Sequence, residues 1–211
     1  MRKTIAVIGE GITEKYYIES LKGISPFVVM PRELGIKASS LKSLDKNITL
    51  CIDKGFDEVY CLIDMDGKTS GKTRDEYLMI KNKFHNKVFS KKSKGINCKV
   101  YFIETERCTE LWFLYYFTKG VVTRKFNNYD ELEKELQKYR PNYEKSEKYF
   151  KSLVNIHKNF ETVAPIGSIK KAYENSVLSL KSSLSDERAY SYSEIHILIK
   201  ALGIYSDDKE E

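Results

Sequence analysis

Apolar positions in the first half of the chain alternate between short unbroken runs and helical spacing. Residues 4–8 form a mostly apolar run that stops at Gly9-Glu10-Gly11, the pattern of a buried strand feeding a turn. Thr13 is placed to cap a helix whose apolar side carries Tyr17, Ile18 and Leu21. Residues 27–30 predict a second strand. Ser39 or Ser40 then caps a helix with Leu41, Leu44, Ile48 and Ile52 at three- and four-residue spacing, and Gly55 stands where a C-terminal cap belongs. Residues 59–63 are apolar without a break, as a parallel strand covered on both faces requires. Asp75 opens the next predicted helix, with Tyr77, Ile80, Phe84 and Val88 along one side, and residues 99–103 supply a fourth strand. This alternation predicts an α/β fold with a mostly parallel four-stranded sheet flanked by helices.

Past residue 105 the rhythm becomes helical. Residues 111–117 are all apolar or aromatic and include Trp112, which predicts a deeply packed helix. Tyr129, Leu132, Leu136 and Tyr139 form a stripe that Pro141 breaks. Further stripes follow at Phe150, Leu153, His157 and Phe160, and at Ile169, Tyr173, Val177, Leu180 and Leu184. Ser193 is expected to cap a last helix with Ile195, Leu198, Ile199 and Leu202, and the acidic residues 207–211 to fray. The division expected is an α/β metal-binding domain over residues 1–105 and a C-terminal helical extension over 106–211 packed on it, or the two as one continuous domain.

Composition narrows the function classes. A chain of 211 residues that is 41% apolar has enough material for one core of domain size. With 31% charged residues and no apolar run near ~20 residues, a transmembrane protein is excluded. The apolar stretch behind Met1-Arg2-Lys3 is too short for a signal peptide, so the expected location is cytoplasmic. The surplus of 36 basic over 30 acidic residues suits nucleic acid, though the abundance of Lys, Tyr, Ile and Asn would also follow from an A/T-rich genome. Cys51, Cys61, Cys98 and Cys108 include no Cys-x-x-Cys pair, which argues against a disulfide framework or a zinc site.

The acids carry more information. Glu10 follows the first predicted strand, and Asp64 and Asp66 end and follow the most apolar one. Ligands of open parallel sheets bind outside the carboxyl ends of the strands, so these three converge if the first and third strands are neighbours. Glu14 reaches back over the same edge if its helix starts early enough. Crowded carboxylates raise one another's pKa unless a cation neutralises them, and hard oxygen donors suit Mg²⁺ or Mn²⁺. Taken singly, an acid after a strand is usually a helix cap or a solvated turn, and an Asp-x-Asp-Gly turn is likewise common; the set and its order favour a divalent-metal pocket. Three other motifs fail. Gly9-Glu10-Gly11 begins like a dinucleotide fingerprint, but Glu14 stands where the third glycine is needed. The segment from Gly67 to Thr73 has three residues between its glycines where a phosphate loop has four. Asp64-Met65-Asp66-Gly67 is similar to the motif of haloacid dehalogenase phosphatases, but it lies on the third strand with Lys68 at a position they give to Thr or Val.

The segment Val7-Ile8-Gly9-Glu10-Gly11-Ile12-Thr13-Glu14 resembles the strand-Glu-Gly motif of Toprim domains, and Leu62-Ile63-Asp64-Met65-Asp66-Gly67 resembles their Asp-x-Asp. These are the catalytic folds of topoisomerases, primases and the overcoming-lysogenisation-defect (OLD) nucleases. More narrowly, the chain resembles the RloB-like branch: Cys108-Thr109-Glu110-Leu111-Trp112-Phe113-Leu114 is similar to its Cys-Phe-Glu-Leu-Trp block. Tyr143-Glu144-Lys145 is similar to its Tyr-x-Lys, and Ser193-Glu194-Ile195-His196 to its C-terminal Ser-to-His segment. The chain departs from that branch at Glu106-Arg107, where Asn-Pro is usual, and at Thr109, where Phe is usual.

The resemblance implies a Toprim-like, Mg²⁺- or Mn²⁺-dependent nuclease, one or two ions, and a role in anti-phage (abortive infection) defence beside a partner ATPase. Carried onto this chain, it implies Glu10 as general acid/base or ligand, Asp64 and Asp66 as metal ligands, and Glu14 and Glu110 completing the metal positions. Lys145 would stabilise charge on the phosphate. Lys68, Lys72 and Arg74 follow the Asp pair on the same edge, where they are expected to grip DNA or RNA phosphates. Lys91, Lys92 and Lys94 are expected to end a helix at the opposite edge. Two rivals stand beside the nuclease: a phosphatase with Asp64 as nucleophile, and a non-catalytic module that binds nucleic acid or an ATPase.

Overall fold

A computed structural model describes residues 3–24, 27–30, 41–91, 95–120, 124–162, 167–185 and 190–205. Among them the elements run β1 (Ile5–Ile8), α1 (Ile12–Leu21), β2 (Val28–Met30), α2 (Leu41–Asp53), β3 (Glu58–Asp64), α3 (Gly71–Phe84), β4 (Val88–Lys91) and β5 (Ile96–Thr105). The helices α4 (Glu110–Phe117), α5 (Tyr129–Gln137), α6 (Glu147–Ser152), α7 (Ile156–Thr162), α8 (Ile169–Ser185) and α9 (Ile195–Ala201) follow.

The sheet order is β2-β1-β3-β5-β4. The first four of these are parallel to their neighbours, and β4 is antiparallel to β5. The expected parallel core is therefore present, and a fifth, edge strand makes the sheet mixed. The expectation misplaced Val88. It sits four residues after Phe84 and so fits a helical stripe, but the backbone turns extended at His85 and left-handed at Asn86 (φ +57°), and Val88 begins β4. Lys91 accordingly closes an edge strand, at the end of the sheet away from Asp64, while Lys92 and Lys94 lie outside the described residues.

Alternation of side chains across the strands builds two apolar layers. Ala6, Ile8, Val59, Cys61 and Ile63 face α2 and α3, where Ile48, Cys51, Tyr77 and Phe84 meet them. Ile5, Val7, Tyr60, Leu62 and Ile103 join the second layer, which continues through Leu111, Trp112, Phe160 and Leu198. Every residue of α4 is buried, and a large side chain such as Trp112 in such a place contributes about 3–5 kcal/mol against truncation to Ala. No helix of the described residues is long and apolar enough to cross a membrane.

Helix boundaries differ from expectation in several places. Gly11, not Thr13, precedes α1, because the Glu14 carboxylate takes the Gly11 N–H and Thr13 is needed elsewhere. Ser70, not Asp75, precedes α3. The stripe from Phe150 to Phe160 is broken into α6 and α7 at Val154, which adopts φ +62°. Glu194 rather than Ser193 precedes α9, although Ser193 Oγ still accepts the Ile195 N–H at 3.4 Å. Helix α8 buries Ala172, Tyr173, Asn175, Ser176 and Ser179 and leaves Leu184 exposed. Its polar residues are buried because they have partners: Asn175 Nδ2 donates to Tyr115 O at 3.0 Å, and Ser176 Oγ to Ser193 O at 2.5 Å. The candidate caps Ser39 and Ser40, and the tail 207–211, lie outside the described residues.

Candidate metal centre

Strands β1 and β3 are neighbours, with Ile8 opposite Cys61, and β3 pairs with β5 so that Asp64 is opposite Thr105. The turns that follow all three therefore open on one edge of the sheet. They deliver Glu10 and Glu14 after β1, Asp64 to Lys68 around the end of β3, and Arg107 to Glu110 after β5. Tyr143 and Lys145 enter from the connection between α5 and α6.

Glu14 reaches this edge because glycines make room for it. A Cβ on Gly9 would stand 2.7 Å from Glu14 Cβ, closer than atoms can approach, and one on Gly11 would lie 3.0 Å from Glu14 Oε2. Gly11 N–H donates to that Oε2 at 2.7 Å. The Glu14 side chain is only 2% exposed, and its Oε1 is buried without a hydrogen-bond partner. Burial, then the charge of Glu110, raises its pKa above the ordinary value.

Asp64 Oδ1 accepts from Thr109 N–H at 2.9 Å and from Thr109 Oγ1 at 3.1 Å. Burial, then the nearby Glu14 and Glu110 charges, pushes its pKa well up, and Glu10 adds to the shift. Glu110 is fully buried, and its Oε1 receives Thr13 Oγ1 at 2.9 Å, Tyr143 Oη at 3.0 Å and Lys145 Nζ at 3.1 Å. Burial alone would raise its pKa, but the Lys145 charge and the hydrogen bonds outweigh burial and hold it below the usual range. Lys145, in turn, is pulled downward by burial, and the charges of Glu110 and Asp64 overcome that and keep it firmly protonated.

Glu10 lies at the front of this group. Its Oε2 is 2.8 Å from Lys68 Nζ, which also donates to the Asp64 carbonyl oxygen at 2.6 Å. Burial raises the Glu10 pKa, and Lys68 opposes the rise without cancelling it. Asp66 stands apart: 62% of its side chain is exposed, and it pairs with Arg107 Nη1 at 3.2 Å. Lys72 and Arg74 are exposed on the first turn of α3, paired with Glu76 and Asp75. A cleft of about 640 Å³ opens over Glu10, Asp64, Asp66 and Lys68.

The structure thus gathers Glu10, Glu14, Asp64, Glu110 and Lys145, leaves Asp66 at the rim, and turns Lys68 inward. As they stand, no three Asp, Glu, His or Cys side chains among the described residues are arranged to ligate one ion. Glu10 and Glu110 each hold a lysine, and Asp64 Oδ1 holds Thr109. In chemical type the four carboxylates nevertheless fit Mg²⁺ or Mn²⁺: all are hard oxygen donors, and Glu14 Oε1 is buried without a hydrogen-bond partner.

A model of the RloB-like protein family matches residues 5–202. The chain belongs to the RloB-like family. No curated protein and no solved structure matches it. In this RloB-like chain the match takes in the whole carboxyl edge and the helices behind it. The Glu110 block forms α4, and the C-terminal Ser193 ties α9 to the sheet through Thr105 Oγ1 at 2.9 Å. His196 Nδ1 lies 2.8 Å from Ser176 Oγ and links α9 to α8. Thr13, Thr109 and Arg107 hold the acids of this edge in ways their sequence positions did not reveal. Thr109 was marked only as a departure from the RloB-like pattern, and its hydroxyl and N–H both serve Asp64. Arg107 adopts φ +73°, which nothing in an Arg predicts, and its Nε bonds Phe126 O while Nη1 holds Asp66.

Proposed function

We propose that this protein is a Mg²⁺- or Mn²⁺-dependent nuclease that hydrolyses phosphodiester bonds in DNA or RNA. The observation that carries the reading is the unpartnered, buried Glu14 Oε1 among the Glu10, Asp64 and Glu110 carboxylates. An unpaired carboxylate oxygen inside a protein is costly, and a divalent cation is the compensation that suits several at once. Glu14 and Asp64 would hold the ion, with Glu10 and Glu110 beside it and Asp66 at the mouth of the cleft. Bound there, the metal would supply Lewis-acid charge and a more acidic water.

The chain's own groups complete the chemistry. Hydrolysis breaks one P–O bond and makes another to water, so a proton must leave the water and one must reach the departing oxygen. Glu10, whose pKa burial raises and which faces the cleft, suits that transfer. Lys145 keeps its proton and contributes fixed positive charge for the phosphate oxygens. Exposed Lys72 and Arg74 suit contact with neighbouring phosphates. The resemblance to Toprim and OLD nucleases supports the phosphodiester chemistry. The RloB-like resemblance supports a setting in cytoplasmic anti-phage defence with a partner ATPase.

The test is incubation of purified protein, alone and with its partner, with labelled DNA and RNA and Mg²⁺ or Mn²⁺. Nicking by the wild type and its loss in Asp64→Ala are expected; undiminished cutting by that variant would refute the mechanism. A second reading, a binding module without turnover, draws support from the lysines already seated on Glu10 and Glu110. It prevails if calorimetry detects no uptake of either ion.

A further inference from the structure

Lys68 was expected to project from the sheet edge towards phosphate, and it does the opposite. Gly67 adopts φ +69°, and the Lys68 N–H donates back to Met65 O at 3.1 Å, so the chain doubles over directly after Asp66. The Lys68 side chain is left only 11% exposed, with its ammonium shared between Glu10 Oε2 and the Asp64 carbonyl oxygen. Lys72, four residues on, has a side chain 90% exposed. Inward seating is therefore particular to Lys68 and does not belong to the basic segment as a whole.

An ammonium and a hard divalent ion answer the same demand here: both are compact cations that seek oxygen. The Lys68 ammonium already spans one carboxylate from β1's turn and one carbonyl from the end of β3, the two strands whose acids would take the metal. A lysine ammonium is carried on a flexible four-carbon stem and is held by its contacts alone, so it is able to leave.

We propose that Lys68 is a tethered cation that occupies the carboxyl edge when no divalent ion is bound and is displaced when one arrives. The inference rests on reading this edge as a metal centre. It makes metal affinity a competition: each ion that binds must separate Lys68 from Glu10. Lys68 thereby guards the site against weak occupancy and keeps Glu10 in place until the ion arrives.

Calorimetric titration of Mn²⁺ into the full chain tests this, comparing wild type with Lys68→Met, which keeps the stem and removes the charge. The variant is expected to bind Mn²⁺ about tenfold more tightly or better, the effect of one neighbouring charge. Adding Glu14→Gln to the variant should remove the gain. Equal or weaker binding by Lys68→Met, with the wild type still binding, overturns the displacement and leaves the metal centre standing. No binding by either protein overturns both. A measurement on the wild type alone covers a variant that fails to fold: acylation of Lys68 by an amine-reactive ester, followed by mass spectrometry. Mn²⁺ is expected to speed labelling of Lys68 relative to Lys72, and an unchanged or slower rate would overturn the inference.

Discussion

Lys145 Nζ lies 3.1 Å from Glu110 Oε1, with the carboxylate fully buried and the ammonium side chain about one-third exposed. The same ammonium stands 5.2 Å from the centre of the Tyr129 ring, so the pair is held from both sides. Removing one partner of such a pair leaves the other charge stranded. Lys145→Met is expected to destabilise the fold by about 3 kcal/mol near neutral pH, the low end for buried pairs because the ammonium is partly solvated. Glu110 has a pKa held below its unfolded value of 4.5, so its stabilising contribution is present above that pH and fades as pH falls through the folded value. The deficit of the variant should accordingly shrink in acid. Urea denaturation across pH checks both statements, and the double variant Lys145→Met with Glu110→Gln should recover part of the loss.

Glu14 presents the reverse case. Its pKa is raised above 4.5 by burial and by Glu110, so the folded state prefers it protonated. Its contribution to stability is complete at pH below 4.5 and is lost as pH rises through the folded pKa. Glu14→Gln keeps an oxygen for the Gly11 N–H and gives the buried position an amide that donates to the neighbouring carboxylates. The metal-free variant is expected to be more stable than wild type by roughly 1–3 kcal/mol at pH 8, with little difference at acid pH. Thermal melts without metal at both pH values measure this. Saturating Mn²⁺ should stabilise the wild type and leave the variant unmoved.

The parts of this architecture that were legible in the chain are those fixed by burial on both faces. The run from Val59 to Ile63 shows only one way to be covered, and once it pairs with β1, Glu10 and Asp64 must share an edge. What escaped reading depended on distant partners. Helix α8 shows an apolar stripe through Val177 and Leu184, yet it buries Asn175 and Ser176 because α4 and the segment before α9 offer carbonyl acceptors. Strand β4 was hidden because Phe84 and Val88 keep helical spacing; only Asn86, a residue tolerant of positive φ, marked the break. The inward turn of Lys68 and the pairing of Asp66 with Arg107, 41 residues away, belong to the same class. Charge alone suggested that Lys68 faced phosphate; the turn at Gly67 decided otherwise.

Val154 sits between α6 and α7 with φ +62° and is 95% exposed. A β-branched side chain in the left-handed region is strained, and here no burial offsets the strain. Val154→Gly is expected to stabilise the fold by about 1 kcal/mol, the relief of strain exceeding the added entropy of the unfolded chain. Denaturant midpoints compare the two proteins. A less stable variant would show that the valine makes a contribution beyond its backbone position.

Gly9 tests the link between packing and the carboxyl edge. It needs to be glycine because Glu14 Cβ occupies the space a side chain would take, 2.7 Å from where a Cβ would be. Gly9→Ala must push the first turn of α1 away from β1, at a cost of about 1–3 kcal/mol for overpacking. The displacement carries Glu14 and Thr13 with it, and Thr13 is the donor that joins α1 to Glu110 at 2.9 Å. The variant is therefore expected to lose Mn²⁺ affinity as well as stability. Gly23, where an added Cβ meets nothing within 4 Å, supplies the control: Gly23→Ala should leave Mn²⁺ binding at the wild-type level. Calorimetry on both variants, run well below their melting temperatures, separates the two effects. A Gly9→Ala protein that melts lower yet binds Mn²⁺ as wild type does would detach Glu14 from the metal centre.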